Sequence, residues 1–406
     1  MNAVLRPLKS LIADFGPMFG WMAMIRVVSS LGFAMTMPFL SIYLHEELGI
    51  PMTRIGLMLT IAGLVGSTAS TIGGAASDLF GRKRLLVQLL AIRCGMFILM
   101  GWLVWDKSSF WIFSAAYIIA GVFGTSILPL MDALVADVTT RENRKEAYGA
   151  MRVAVNLGWA IGPAIGGLVV LAGYYWLFLF TAAALAISTV VASRRLKETW
   201  EQPPSNEPRK LKFRTLLTDR KLIGFLCVCL ILFMVRGQLI SPLSMHASSN
   251  LGLSKSQIGM LFFINGIMIV LFQVPVARFL NRFDPINLMA VAGVTYGAGY
   301  YLVGLAHTIW SLAPAVAMVT LGELIEGPTA ISYVAQLAPK ELIGTYLGGF
   351  ALVMHLGWTM GPLVGGALLD YMATPAAAWS VITILALIAA LGFLIMRDGQ
   401  SMKVRE

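Results

Sequence analysis

The sequence predicts an all-α polytopic membrane protein with 12 transmembrane helices arranged as two six-helix pseudo-repeats. Three observations carry this reading. Of the 406 residues, 58% are hydrophobic and 12% charged, with a mean hydropathy of +0.80. A soluble domain carries about 25% charge, so too few polar side chains exist here to cover a water-facing surface. Apolar stretches recur from one end of the chain to the other, each near the ~20 residues that a helix needs to cross the hydrocarbon core. The second half of the chain also repeats the first. Helices satisfy their own backbone groups in lipid, and no alternating segments of the kind a β-barrel requires are present.

The helices are placed at 17–44, 54–75, 84–105, 109–137, 146–171, 175–194, 222–246, 257–280, 286–305, 309–336, 344–370 and 377–396. The first apolar stretch runs unbroken to "HEEL", too long and too poor in small residues at its end for a cleavable signal peptide. Helix 2 closes on "GGAASDLFGRKRLL", residues 73–86. There Gly73 and Gly74 allow close helix approach, and Gly81 permits a tight turn into helix 3. Arg82, Lys83 and Arg84 hold the loop at the anionic inner leaflet. Asp78 can pair with one of these bases or face a helix N-terminus. Between helices 6 and 7, residues 194–221 are polar, charged and proline-containing, and read as a cytoplasmic linker with a short surface helix at its end. The domain division is therefore 1–193, linker 194–221 and 222–406. Cys94, Cys227 and Cys229 all lie within helices and read as packing residues, not as a disulfide or metal site.

The formal charge of +10 has a topological explanation. With the N-terminus in the cytoplasm, most Lys and Arg fall in inner loops, and only Arg54, Lys107 and Lys255 fall outside. This positive-inside bias places both termini in the cytoplasm and needs no nucleic-acid partner.

The internal repeat is explicit. "LGIPMTRIG" at 48–56 returns as "LGLSKSQIG" at 251–259, and "GAMRVAVNLGWAIGPAIGG" at 149–167 returns as "GGFALVMHLGWTMGPLVGG" at 348–366. Pro129 and Pro328 share the second register. The offset spans an even number of helices, so the halves are parallel repeats.

Two parallel six-helix halves joined by such a linker resemble the major facilitator superfamily, over essentially the whole chain. Gly74, Asp78, Gly81, Lys83 and Arg84 match that family's loop between helices 2 and 3, with Arg82 an added base and Leu79 a departure. The resemblance implies a conformational latch there that stabilises the outward-facing state. Gly149, Gly158, Gly162, Pro163, Gly166 and Gly167 resemble the helix 5 signature of the twelve-helix drug:proton antiporters, and recur in helix 11 at Gly348, Gly357, Gly361, Pro362, Gly365 and Gly366. Leu31, Gly32 and Pro38 match a helix 1 pattern of the same group, with Ser41 in place of its last proline. Helix 4 departs from it, with Tyr117 where drug exporters often carry an arginine. In this fold helix 3 is peripheral, so Arg93 is expected to be structural.

Arg26, Arg93, Arg152, Arg236, Asp132, Glu323 and Glu326 lie inside helices. A charge at a helix centre costs roughly 2.5–3.5 kcal/mol on insertion scales, so these groups should pair or face water. Arg236 and Glu323 are nearest the midplane and belong to one half. They form either a switchable contact or a fixed pair. Glu323 lies in "TLGELIEGPT", which resembles several multidrug exporters, and is expected to carry the coupling proton, shared with Glu326 one turn on. Asp132 and Arg152 are about equally deep in helices 4 and 5 and form a candidate cytoplasmic gate contact, and Arg26, in the inner half of helix 1, is a further gate candidate. Asn156, Trp159, Phe262, Asn265, Met354, His355 and Trp358 are candidate substrate contacts, Trp159 and Trp358 being repeat equivalents. The 23 Met and 21 Phe supply adaptable apolar surface.

The functional expectation is a proton-coupled antiporter exporting lipophilic or amphipathic small molecules by alternating access. It is expected to sit in a bacterial inner membrane as a monomer in contact with lipid, using the proton gradient and no cofactor. The alternative is a dedicated carrier for one metabolite, sugar or lipid on the same fold. No P-loop, H-E-x-x-H or G-x-S-x-G occurs, so neither ATP-driven transport nor an enzyme is expected.

Overall fold

The computed structural model describes residues 15–140, 143–199, 218–339 and 342–403, the side chains of 71–79, 145 and 398–403 excepted. Among the described residues 12 helices are long and apolar enough to cross a membrane. They are α1 (Pro17–Glu46), α2 (Met52–Phe80), α3 (Arg82–Trp105), α4 (Phe110–Val138), α5 (Arg144–Val169), α6 (Tyr174–Arg195), α7 (Arg220–Asn250), α8 (Lys255–Leu280), α9 (Pro285–Gly304), α10 (Ile309–Leu337), α11 (Ile343–Tyr371) and α12 (Pro375–Lys403).

Side-chain caps set several helix starts in the second unit. The carboxylate of Asp219 accepts from the amides of Lys221 and Leu222 at the start of α7. Ser254 and Gln257 close a capping box at α8, and Asp284 caps α9. Gly49 and Gly252, equivalent in the repeat, both take a left-handed φ, +65° and +63°, so the repeat extends to backbone conformation.

Three elements differ from the sequence expectation, α12 by running on past 396 to Lys403. α2 continues through Gly73 and Gly74 to Phe80, where Gly81 at φ +86° ends it. α7 is interrupted: a 3-10 turn spans Gly237–Leu239 and a π turn His246–Asn250. Pro242 cannot donate to the carbonyl four residues back, at Gln238. The Gln238 side chain donates to the carbonyl of Gly361, at 2.9 Å, tying the break to α11.

The chain divides into two compact units, one of Met1–Leu40 with Ile61–Asn206 and the other of Ser41–Thr60 with Glu207–Glu406. In the first, α3 packs against α4 and α6. In the second, α9 packs against α10 and α12, α7 against α11, and α8 against α10. The pairs α3·α6 and α9·α12 are repeat equivalents.

The Ser41–Thr60 segment joins the second unit through polar contacts. Ser41 and Ser241 hydroxyls lie 2.7 Å apart, and Thr60 donates to the carbonyl of Thr359 at 2.7 Å. Asp370 accepts from the amides of Met52 (3.1 Å) and Thr53 (2.7 Å) at the N-terminus of α2. Lys255 pairs with Glu46 at 2.5 Å.

Large apolar side chains face outward in both units, as lipid contact requires. Trp105, Trp111, Trp310 and Tyr371 are exposed at helix ends remote from the basic loops, Trp310 at 85%. This is the placement of an interfacial aromatic belt.

Candidate functional site

The second unit holds a buried ionic cluster. α7 supplies Arg236 from the last residue before its 3-10 break. α10 supplies Glu323 and Glu326, three residues apart and so on one helix face. Arg236 Nη2 lies 2.5 Å from Glu323 Oε1, and Nη1 lies 3.1 Å from Glu326 Oε2. Glu326 is 1% exposed.

Three neutral groups complete the cluster. Tyr296 of α9 donates to Glu326 Oε2 at 3.3 Å. Asn265 of α8 donates to Glu323 Oε2 at 3.3 Å and to Thr320 Oγ1 at 2.9 Å. Thr320 in turn donates to the carbonyl of Val316. The cluster thus joins one guanidinium to two carboxylates, with Asn265 on the second oxygen of Glu323 and Tyr296 sharing Glu326 Oε2 with the guanidinium. One added proton balances its charge.

Of the expected site residues, the structure brings Glu323, Glu326, Arg236 and Asn265 together. Sequence reasoning missed Tyr296 and Thr320, whose roles come from helix packing and leave no local motif. Beyond the cluster, Tyr296, Tyr300 and Trp379 form a stacked column, with interplanar angles of 10° and 6°.

In the first unit, Asp132 pairs with Arg26 at 2.5 Å and not with Arg152, correcting the expected gate contact. Arg26 is buried and also donates to the carbonyl of Leu128, one turn before Asp132. Leu128 and Asp132 therefore share the face of α4 that meets α1. Arg152 lies exposed on α5. Tyr148 OH donates to the backbone carbonyl of Asp132 at 3.1 Å.

The loop after α2 is organised by residues outside the expected motif. The Glu198 carboxylate accepts from the amides of Arg82 (2.8 Å), Lys83 (3.2 Å) and Arg84 (3.2 Å), capping α3. A Cβ on Gly81 would stand 2.8 Å from Glu198 Oε2, so glycine serves both the positive φ and the approach of the carboxylate. The Arg82 guanidinium pairs with Asp137 and donates to the carbonyl of Ala133 at 3.1 Å. Thr199 donates to the same Asp137, at 2.5 Å. The expected latch side chains at Gly74 and Asp78 lie outside the described residues. A carboxylate at the start of a polar linker, opposite a helix N-terminus, was the signal that could have found Glu198.

The glycine signatures are packing faces. Cβ atoms on Gly158 and Gly162 would stand 2.6 Å from Leu31 N and 2.7 Å from Leu31 O of α1, and one on Gly166 would meet Met35 O. In the repeat, Gly357 and Gly361 meet Phe233 and Gly237 of α7 at 2.6 and 2.7 Å. Gly149 and its equivalent Gly348 have nothing within 4 Å and take no part in this packing. Pro163 lies buried within α5 beside Gly162, and Gly167 is buried as well.

The remaining substrate candidates are divided between the units. Asn156 and Trp159 are half-buried on α5, Trp159 edge-on to Phe33 at 6.0 Å. Phe262 is buried. Met354, His355 and Trp358 are half-buried on α11, with the last two rings 6.2 Å apart. Among the described residues no group of three or more His, Cys, Asp or Glu is placed to hold a metal.

Spanning helices, a duplicated six-helix unit and a buried ionic cluster within one repeat define a multi-pass membrane transporter. The chain belongs to the Major Facilitator Superfamily, whose family model matches residues 22–248 and 226–405. Its relatives include the Na(+), Li(+), K(+)/H(+) antiporter of Planococcus maritimus, 24% identical over 369 residues, covering 82% of this chain and 84% of that protein. Multidrug resistance protein MdtH of Salmonella typhimurium is 23% identical over 370 residues, with 89% of each chain covered. Other relatives of similar identity are MFS-type transporters whose names carry no substrate. The nucleoside transporter NupG has the same fold, with a TM-score of 0.78 at 13% identity over 94% of this chain and 99% of that one.

Proposed function

We propose that this protein is a proton-coupled antiporter that exports lipophilic or amphipathic small molecules by alternating access, from an inner membrane with both termini in the cytoplasm. The observation that carries the reading is the sharing of Arg236 between Glu323 and Glu326. Two carboxylates on one guanidinium leave the cluster a proton short of neutrality, and charge is costly at this depth. Glu323 is the more accessible of the two carboxylates, at 14% of its side chain against 1%. It is the entry point for the proton, and Glu326 shares it. Asn265 donates to Glu323 and Tyr296 to Glu326, and each can donate whether its carboxylate is charged or protonated. Relatives named as a cation/proton antiporter and a multidrug resistance protein support the class of activity.

The test is reconstitution in liposomes with an internal pH dye, an imposed pH gradient and a panel of lipophilic cations and neutral amphiphiles. Proton flux that starts on substrate addition supports the proposal. Substrate movement without proton flux, or response to one metabolite alone, makes the protein a uniporter or a dedicated carrier.

A further inference from the structure

Arg93 is held unlike Arg26 and Arg236. It stands at the middle of α3, eleven residues from Arg82. Among the described residues no ion pair includes it, whereas Arg26 and Arg236 each have a carboxylate. Its guanidinium lies over the ring of Phe33 at 4.9 Å and that of Phe97 at 5.6 Å. Its Nε is buried without a hydrogen-bond partner. Ring faces attract a cation but do not cancel its charge.

The far end of the side chain reaches α4 at Gly124, where a Cβ would stand 2.8 Å from Arg93 Cζ. In the register that equates Pro129 with Pro328, Gly124 is the repeat equivalent of Glu323. The position that carries a carboxylate against Arg236 in the second repeat is thus a glycine against Arg93 in the first, the two arginines coming from different helices of their repeats, α7 and α3. Arg93, Phe33 and Tyr117 are all half-buried, and Phe33 is also met edge-on by Trp159.

We propose that Arg93 binds the anionic group, a carboxylate or sulfonate, of an amphipathic aromatic substrate, with Phe33 and Trp159 against its ring. The substrate supplies the negative charge that no ion pair among the described residues brings to Arg93. This rests on the reading of the chain as an exporter of amphipathic molecules and adds the charge those molecules carry.

The test is calorimetric titration of the purified full-length protein with 2-naphthoate, 2-naphthalenesulfonate and the neutral 2-naphthamide. The wild type is expected to bind both anions at least about ten-fold more tightly than the amide, roughly the gain of one charge-assisted contact. Arg93→Gln should bring the anions down to the amide's affinity. Gly124→Asp, which places a carboxylate beside Arg93 within the chain, should do the same without removing the cation. Arg93→Lys should keep part of the preference. Undiminished amide binding shows that each variant is folded. Equal affinity of the wild type for anions and amide, or no binding of the anions, overturns the proposal, as does an anion preference that survives in folded Arg93→Gln. Binding is read without a gradient, so this outcome is independent of whether transport proves to be proton-coupled.

Discussion

Arg236 Nη2 lies 2.5 Å from Glu323 Oε1 while its Nη1 reaches Glu326, so a single guanidinium holds two carboxylates of α10. Arg236→Gln leaves both carboxylates without a counter-charge. Breaking a buried pair from one side costs about 3–5 kcal/mol, and the partial exposure of Arg236 puts this one at about 3. The loss should shrink when Glu326→Gln is added, because that removes one of the two uncompensated carboxylates. Thermal melting of wild type, Arg236→Gln and the double variant checks it. A double variant no more stable than Arg236→Gln contradicts the charge argument.

Glu198 holds the first turn of α3 through three backbone amides. Glu198→Ala is expected to cost about 1 kcal/mol, as for loss of an N-cap. Gly81→Ala should cost more, since it adds a strained φ and displaces the same carboxylate. Melting temperatures of the two variants give the order.

Asp370 ties α11 to the start of α2 by accepting from the amides of Met52 and Thr53 and from the Thr53 hydroxyl at 2.6 Å. Asp370→Ala is expected to raise amide exchange at residues 52 and 53 about ten-fold, equivalent to ~1.4 kcal/mol of local stability. Unchanged exchange there would show that the cap does not hold this segment.

The glycine signature separates into two classes. Gly162→Val drives methyl groups into Leu31 and Ala34 of α1 and should cost about 1–3 kcal/mol, with loss of transport. Gly149→Ala meets open space and should stay within about 0.5 kcal/mol of wild type. Parallel melting and transport assays decide between a packing face and a uniform motif.

The spanning helices were legible because each is a hydrophobic run bounded by charged or turn residues. The break in α7 was not, because it depends on Gly237 meeting Gly361 across a helix pair as well as on Pro242. Counting depth along helices found the Arg236–Glu323 pair. It failed for Asp132, since depth gives two arginines the same level and says nothing about which face of α4 points to α1. The peripheral place of α3 makes Arg93 a structural residue on sequence grounds, and the contacts of its side chain with Phe33 on α1 and Gly124 on α4 follow from packing that no motif announces. Glu198 lies in a charged stretch with no periodicity to single it out.

The most direct test of the central claim compares two transport modes in Glu323→Gln. Glutamine keeps an acceptor for Arg236 but cannot give up a proton. The account predicts that reconstituted Glu323→Gln still exchanges labelled for unlabelled substrate across the membrane at equal pH, and loses accumulation driven by a pH gradient. Gradient-driven accumulation at the wild-type level in this variant would contradict it, and would leave the Arg236–Glu323 contact as a fixed structural pair.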